Sequence, residues 1–91
     1  GQTCAVSSAG AAYCWGWNAS GGLGDGTFTS RLAPVPVTGG LSFTALSSGY
    51  NHTCAISSTG TTYCWGYNDF AQLGNGTSVT SNVPVKVTGQ P

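Results

Sequence analysis

Sliding the chain along itself by 50 residues places Cys4 on Cys54, Cys14 on Cys64, Trp15 on Trp65 and Pro34 on Pro84 without a gap. Of the 41 positions that overlap, 20 are identical, among them Tyr13/Tyr63, Asn18/Asn68, Leu23/Leu73, Gly24/Gly74 and Val35/Val85. A period of this length marks a repeat architecture, in which each unit keeps an apolar face that a neighbouring unit covers. Whatever this chain folds into is built twice from one plan.

Composition says what the unit is made of. Gly, Ser and Thr make up 38 of the 91 residues, with no Met, no Glu, one Lys and one Arg, so strong helix formers are scarce. The chain is 40% hydrophobic with ten aromatic rings, enough to build a core and too much for a disordered linker. An all-β fold is expected. One unit runs from about Leu41 to Gln90, and its alternation predicts strands at Phe43–Leu46, Thr53–Ser57, Thr61–Trp65 and Val83–Val87. Pro84 suggests an edge strand or a strand start. The Gly-, Asn- and Thr-rich segments Asn18–Ser30 and Asn68–Ser81 are then long loops.

Four short antiparallel strands in 50 residues is the size of a β-propeller blade. The sequence therefore reads as two tandem four-stranded blades. A first repeat is expected over residues 1–40, starting at Gly1, the equivalent of Asn51, and so lacking a counterpart of Leu41–Tyr50 and its first strand, and a complete second repeat over residues 41–91. Closed propellers need about 4–8 blades. Two are expected to belong to a longer array, or to an assembly in which strand exchange fills the gap.

The cysteines fit one hairpin plan. Gly10 and Gly60 sit where a three-residue loop, a type I turn followed by a glycine bulge, needs a left-handed residue. Taking Ser8-Ala9-Gly10 as the loop pairs Ser7 with Ala11, Val6 with Ala12, Ala5 with Tyr13 and Cys4 with Cys14. Pair types alternate from the loop, so Cys4 and Cys14 meet at a non-hydrogen-bonded site, where side chains are close enough for a disulfide. Cys4–Cys14 and Cys54–Cys64 are the predicted bonds. A four-Cys zinc site is the competing reading, but it normally uses closely spaced Cys pairs, and no C-x-x-C occurs here. Two disulfides in a small chain point outside the cytosol, to a secreted, extracellular or cell-surface location.

Charge excludes several function classes. Arg31, Lys86, Asp25 and Asp69 are the only charged side chains and the net charge is zero. Two cations cannot supply the basic stripe that a nucleic-acid binder needs, nor hold an anionic membrane surface. No run of about 20 apolar residues is present to span a bilayer, and no basic start followed by an apolar run marks a signal peptide within these residues.

The motif His52-Thr53-Cys54-Ala55-Ile56, Gly60, Tyr63-Cys64-Trp65-Gly66-Tyr67-Asn68, Gln72-Leu73-Gly74-Asn75-Gly76-Thr77 and Val83-Pro84-Val85-Lys86-Val87 resembles the regulator-of-chromosome-condensation repeat. The first copy matches through Cys14-Trp15-Gly16-Trp17-Asn18, Leu23-Gly24-Asp25-Gly26-Thr27 and Ala33-Pro34-Val35. The resemblance covers the whole chain. It implies β-propeller blades of about fifty residues, usually seven to a ring, and the Cys pair looks like the variant of secreted, mostly bacterial members. It implies a scaffold rather than a reaction. The name-giving member exchanges guanine nucleotides and binds chromatin, which is not carried over, since nucleotide exchange belongs to surface loops outside the repeat motif that have no match here. The first copy departs from the pattern at Gly22, where Gln is expected and Gln72 stands in the second copy, and at Gln2, which matches His52.

No catalytic constellation can be assembled. His52 has no acidic, Ser or Cys partner by spacing, and Asp25 and Asp69 fall in loops of different copies. Gly21-Gly22-Leu23-Gly24-Asp25-Gly26-Thr27 is similar to the calcium-binding nonapeptide of toxin repeats but fails on register, and it lacks the Lys of a phosphate loop. No cofactor and no metal are expected. Tyr13, Trp15, Leu23, Tyr63, Trp65 and Leu73 recur at fixed places and read as the structural core of the repeat. Trp17, Phe28, Tyr67 and Phe70 vary between copies and are the candidate partner-binding residues. Asn18, Asn51 and Asn75 head sequons.

The expected function is a non-enzymatic structural or interaction module, self-assembling or part of a longer repeat array, with an extracellular filament as one form. Near-zero charge removes the repulsion that keeps copies apart, and an incomplete blade offers an unpaired strand edge. The alternative is a propeller that binds a carbohydrate or a protein, or inhibits an enzyme, through one face.

Overall fold

The computed structural model describes residues 1–90. Seven strands and no helix occur among them: β1 Gln2–Val6, β2 Ala12–Gly16, β3 Arg31–Pro36, β4 Phe43–Ser48, β5 His52–Ser57, β6 Thr62–Gly66 and β7 Ser81–Lys86. They form two antiparallel sheets, β1-β2-β3 and β4-β5-β6-β7. The chain is a pair of β-propeller blades, the first of three strands and the second of four.

Local chemistry explains each hairpin. The Ser7 N–H donates to Ala11 C=O at 2.8 Å and the Gly10 N–H to Ser7 C=O at 2.9 Å, closing the loop Ser8-Ala9-Gly10. Gly10 has φ +88° and Gly60 φ +87°, the left-handed conformation that favours glycine. From this turn the register runs Val6 to Ala12, Ala5 to Tyr13 and Cys4 to Cys14, as the spacing predicts. The Ala12 carbonyl accepts from Val37 N–H at 3.0 Å, so its polar groups face away from β1. The Cys4/Cys14 pair, two residues along, is of the same non-hydrogen-bonded type. Disulfides link Cys4 to Cys14 and Cys54 to Cys64, with Cα atoms 4.1 and 4.0 Å apart.

A β-bulge follows in both copies, between Cys14 and Gly16 and between Cys64 and Gly66. It pairs Gly66 with Ser81, so β7 begins two residues earlier than the sequence pattern predicts. Gly66 has φ +108°, and a Cβ there would lie 2.5 Å from the Asn51 carbonyl oxygen. Only glycine fits. Pro34 and Pro84 lie in β3 and β7, which are edge strands, where a missing N–H costs no ladder bond.

The sheets pack face to face, with β4 against β1. Side chains alternate along each strand. Gln2, Cys4, Val6, Ala12 and Cys14 of the first blade point at the second, which answers with Thr53, Ala55, Tyr63 and Trp65. Ala12, Cys14, Leu23, Phe43, Ala55 and Trp65 form the buried core between them. This core is a blade-to-blade junction.

Candidate functional site

Trp65 is the centre of that junction. Its side chain is fully buried and its indole N–H donates to Gly22 C=O at 3.0 Å. A Cβ on Gly24 would lie 2.7 Å from Trp65 Nε1, so the indole lies flush against the first loop. Phe43 braces it at 5.9 Å between ring centroids and meets Tyr63 edge-on at 6.3 Å. Around the indole run polar ties between blades: Gln2 Nε2 donates to His52 C=O at 2.8 Å and to Thr53 Oγ1 at 3.1 Å, and Thr53 Oγ1 donates to Gly22 C=O at 3.1 Å. The Phe43 N–H reaches Gly10 C=O at 2.8 Å, and the Gly26 N–H reaches Asn82 C=O at 2.9 Å.

The two departures of the first copy explain each other here. A Cβ on Gly22 would stand 3.1 Å from Gln2 Cδ, so the Gln2 side chain fills the space above Gly22. Gln2 is buried, and its Oε1 has no hydrogen-bond partner among the described residues. The second copy reverses the choice, with His52 and Gln72 at the matching positions.

Each blade has two faces, and the junction uses one of each. The opposite face of blade 1 carries Thr3, Ala5, Ser7, Tyr13 and Trp15, the counterparts of Thr53, Ala55, Ser57, Tyr63 and Trp65. There Thr3, Ala5 and Ser7 are exposed, Tyr13 is 39% exposed and Trp15 is half-buried, whereas Thr53, Ala55, Ser57 and Trp65 are all buried. The opposite face of blade 2 carries His52, Cys54, Ile56, Thr62, Val85 and Val87, the counterparts of Gln2, Cys4, Val6, Ala12, Val35 and Val37. Ile56 is 44% exposed there and borders an open cavity of about 280 Å³ with Leu46, Cys54 and Thr62. Of the repeat-core residues read from the sequence, Leu23, Leu73 and Trp65 are fully buried, while Tyr63 and Trp15 are half-buried and Tyr13 is exposed.

The long loops are organised by two residues that the sequence reading left as sequon and motif positions. Asn18 and Asn68 are fully buried. Asn18 Nδ2 donates to Thr27 C=O and Thr29 C=O, both at 3.0 Å, and its Oδ1 accepts from Leu23 N–H at 3.0 Å. Asn68 does the same with Thr77 C=O, Val79 C=O and Leu73 N–H. The Asn18 amide is consumed inside the loop, leaving no room for a glycan at that sequon. The available signal was identity of a polar residue in both copies of a segment with no strand pattern.

Asp25 completes the first loop. Burial pushes its carboxyl up, but the Thr27 hydroxyl and N–H, the Asn18 amide and Arg31 together outweigh this and hold it below its ordinary value. The Thr27 hydroxyl donates to it at 2.7 Å, and Arg31 Nε lies 3.4 Å away. Asn75 takes the same place in the second loop, accepting from Thr77 N–H at 3.2 Å and from Thr77 Oγ1 at 2.9 Å.

The variable aromatics are largely outside the core. Trp17, Phe28 and Phe70 are exposed and Tyr67 is half-buried. Tyr67 and Phe70 meet at 6.2 Å. Tyr50, which the sequence reading did not single out, is 83% exposed and joins them: it lines one cleft with Trp17 and another with Tyr67 and Phe70. Phe28 lines neither cleft. The Tyr67 hydroxyl donates to Asp69 at 3.0 Å, and that bond to a carboxylate raises its pKa. His52 is half-buried, its imidazole laid over Gly49 where a Cβ would collide with it. Among the described residues no three of His, Cys, Asp and Glu come together, and no helix is long and apolar enough to cross a membrane.

Known structures share this fold. The chain superposes on human WBSCR16 with a TM-score of 0.85 and 26% identity, over 93% of this chain and 22% of that one. It also superposes on Prp20p from Saccharomyces cerevisiae, at 0.85 and 18% identity over 98% of this chain and 24% of that one. A second structure of the yeast protein, yeast RCC1 (Prp20) with Kap60 bound, gives 0.87 and 19% identity over 98% and 23%. The chain thus spans less than a quarter of the solved proteins it matches. No curated protein sequence matches it. Two profiles of the regulator of chromosome condensation (RCC1) repeat match, one over residues 9–56 and 59–91 and the other over residues 43–72. Blade geometry, the recurring Trp and loop glycines at the junction, and these matches across most of its length place the chain in the RCC1 repeat family.

Proposed function

We propose that this chain is a non-enzymatic structural and interaction module of a secreted or surface protein, whose work is to join blades to like blades. A protein-interaction role is the common ground of the family. Yeast Prp20p is described with binding properties to Gsp1p and histones, and as a complex with Kap60. Self-assembly, with an extended filament as its limiting form, is the finer reading. The observation that carries it is the junction itself: unlike faces of two copies of one repeat pack together, with Trp65 bonded to Gly22 and set on Gly24 of the other blade. A contact of that kind is heterologous, and repeating it builds rings or open helical arrays. Two disulfides favour an oxidising compartment.

The test is the mass and shape of the 91-residue chain under non-reducing conditions, by sedimentation and negative-stain electron microscopy. Regular fibres or a ladder of multimers are expected. A strictly monomeric chain at every concentration would sink the self-assembly reading. A second reading, recognition of a carbohydrate or a protein through one face, is favoured by the surface shared by Trp17, Tyr50, Tyr67 and Phe70. Quenching of Trp17 fluorescence on titration with glycans checks it.

A further inference from the structure

We infer that the cleft where Trp17 of blade 1 meets Tyr50 and Asn51 of blade 2 is a binding site for a neutral pyranose glycan. This rests on the second reading above and names its ligand. The blades touch at this point, since a Cβ on Gly1 would lie 3.0 Å from the Tyr50 carbonyl oxygen. Gly1, Trp17, Tyr50 and Asn51 line an open cleft of about 390 Å³, which suits a short stretch of glycan better than a folded partner. Both blades that build it are in the chain. Trp17 keeps 54% of its surface open with blade 2 docked beside it. Its N–H donates to Gly1 C=O at 3.3 Å, as the Tyr67 N–H donates to Asn51 C=O at 2.9 Å, so the two rings occupy one place in the repeat. Tyr67 has Tyr50 and Asn51 before it and is still only half-buried. A ring at this place therefore stays open with the next blade docked and with its own blade complete. The cleft on the other side of Tyr50 differs: it is bounded by His52 and Gln72, whose counterparts Gln2 and Gly22 are buried in the junction, and it forms no part of the site.

The chemistry of the lining names the ligand. A pyranose with equatorial hydroxyls has flat C–H faces and a polar rim; the faces pack on aromatic rings and the rim needs hydrogen-bond partners. Trp17 and Tyr50 supply the rings, and Tyr50 is 83% exposed. The Trp17 indole N–H, the Tyr50 hydroxyl and the Asn51 carboxamide make no hydrogen bond among the described residues, so one donor and two groups that both donate and accept are free in one cleft. The same groups elsewhere are used up: the Trp65 N–H is bonded to Gly22, the Tyr67 hydroxyl to Asp69, and the Asn18 amide to its loop. No aliphatic side chain and none of the four charged side chains line the cleft. A sulfate or uronate would find no cation there, and burying its charge unpaired is costly. An apolar protein anchor would leave the three polar groups without partners. A neutral sugar meets neither obstacle.

Isothermal titration calorimetry of the 91-residue chain tests this, with cellohexaose and chitohexaose as neutral probes and hyaluronan and polygalacturonate as acidic ones. The neutral probes are expected to bind and the acidic ones not. Trp17→Ala is expected to weaken binding by about tenfold or more, and Asn51→Ala by about threefold to tenfold. Phe28→Ala removes an exposed ring that lines neither cleft and is expected to leave binding unchanged. Circular dichroism verifies the folds, and Asn51→Ala, which removes a side chain bonded to nothing in the fold, decides the matter if Trp17→Ala is unstable. If the neutral probes bind and neither Trp17→Ala nor Asn51→Ala weakens them, sugar recognition stands at another surface and this inference falls. Binding of the acidic probes alone overturns the neutral class while carbohydrate recognition stands. If no glycan binds, this inference falls and the second reading is reduced to protein recognition.

Discussion

Trp15 and Trp65 occupy the same place in the same repeat, one residue before the same bulge glycine, on hairpins stapled by the same disulfide. Yet Trp65 is fully buried, with its N–H bonded to Gly22, and Trp15 is half-buried against no blade. Tyr13 and Tyr63 differ in the same sense, as do Ala5 and Ala55. The difference lies in company rather than in local structure. A blade is specified by its own residues, but its core forms only when a neighbour arrives, as expected for a repeat protein whose stability is a sum of unit and interface contributions.

The largest effect that tests this comparison is truncation of the two indoles. Trp65→Ala is expected to cost about 3–5 kcal/mol, the range for a fully buried large aromatic. Trp15→Ala in dilute solution is expected to cost about 1 kcal/mol, as for a partly covered surface residue. Urea denaturation of the two variants measures both, and equal losses would break the distinction. The disulfides should behave oppositely. Both close the same short span, with a sequence separation of 10, so replacing either Cys pair by Ala is expected to cost about 2–4 kcal/mol in each copy. A large inequality between the copies would mean that the junction, and not the hairpin, is what the bond protects.

A smaller pair sharpens the junction itself. Gly24→Ala and Gly74→Ala both force a side chain into positive φ, at about 1–2 kcal/mol. Gly24→Ala also drives a Cβ into the Trp65 indole, adding about 1–3 kcal/mol of overpacking, whereas the Gly74 Cβ meets only Val87 at 3.2 Å. Thermal melts of the two variants read the difference. The smallest effect is electrostatic and belongs to the first loop alone. Because the folded Asp25 carboxyl titrates below its ordinary value of 3.8, its contribution is fully present above that value and fades as pH falls through the lower, folded one. Asp25→Asn, which copies the second loop, is expected to abolish this acid-side loss. At neutral pH it should cost about 0.5 kcal/mol or less, since Asn75 accepts the same bonds and the Arg31 pair is partly solvated. Stability profiles from pH 2 to 6 check it.

Much of the blade was legible before any coordinates. The place of Gly10 set the loop, the loop set the pairing, and the pairing brought Cys4 to Cys14. Each step involves residues within a few positions, governed by turn geometry and strand alternation. The loops were less readable. Asn18 and Asn68 stood in the sequence only as a sequon head and a motif residue at the start of long loops, and only the fold shows each amide closing a ring of backbone groups more than ten residues long. Tyr50 was overlooked because it falls outside the overlap of the two copies. The exchange of Gln2 and Gly22 for His52 and Gln72 read as two unrelated departures, since the residues are 20 apart in sequence and touch only through the folded loop.

By itself the sequence determined the repeat, the all-β unit, the hairpin register and the cysteine partners, because these follow from backbone sterics and hydrogen bonding over short spans of chain. The tertiary structure alone decided which residues of each blade meet at the junction and that Gln2 fills the space above Gly22. Those outcomes depend on which surface meets which across the junction, and identical residues in two copies of a repeat carry no mark of which one has a neighbour.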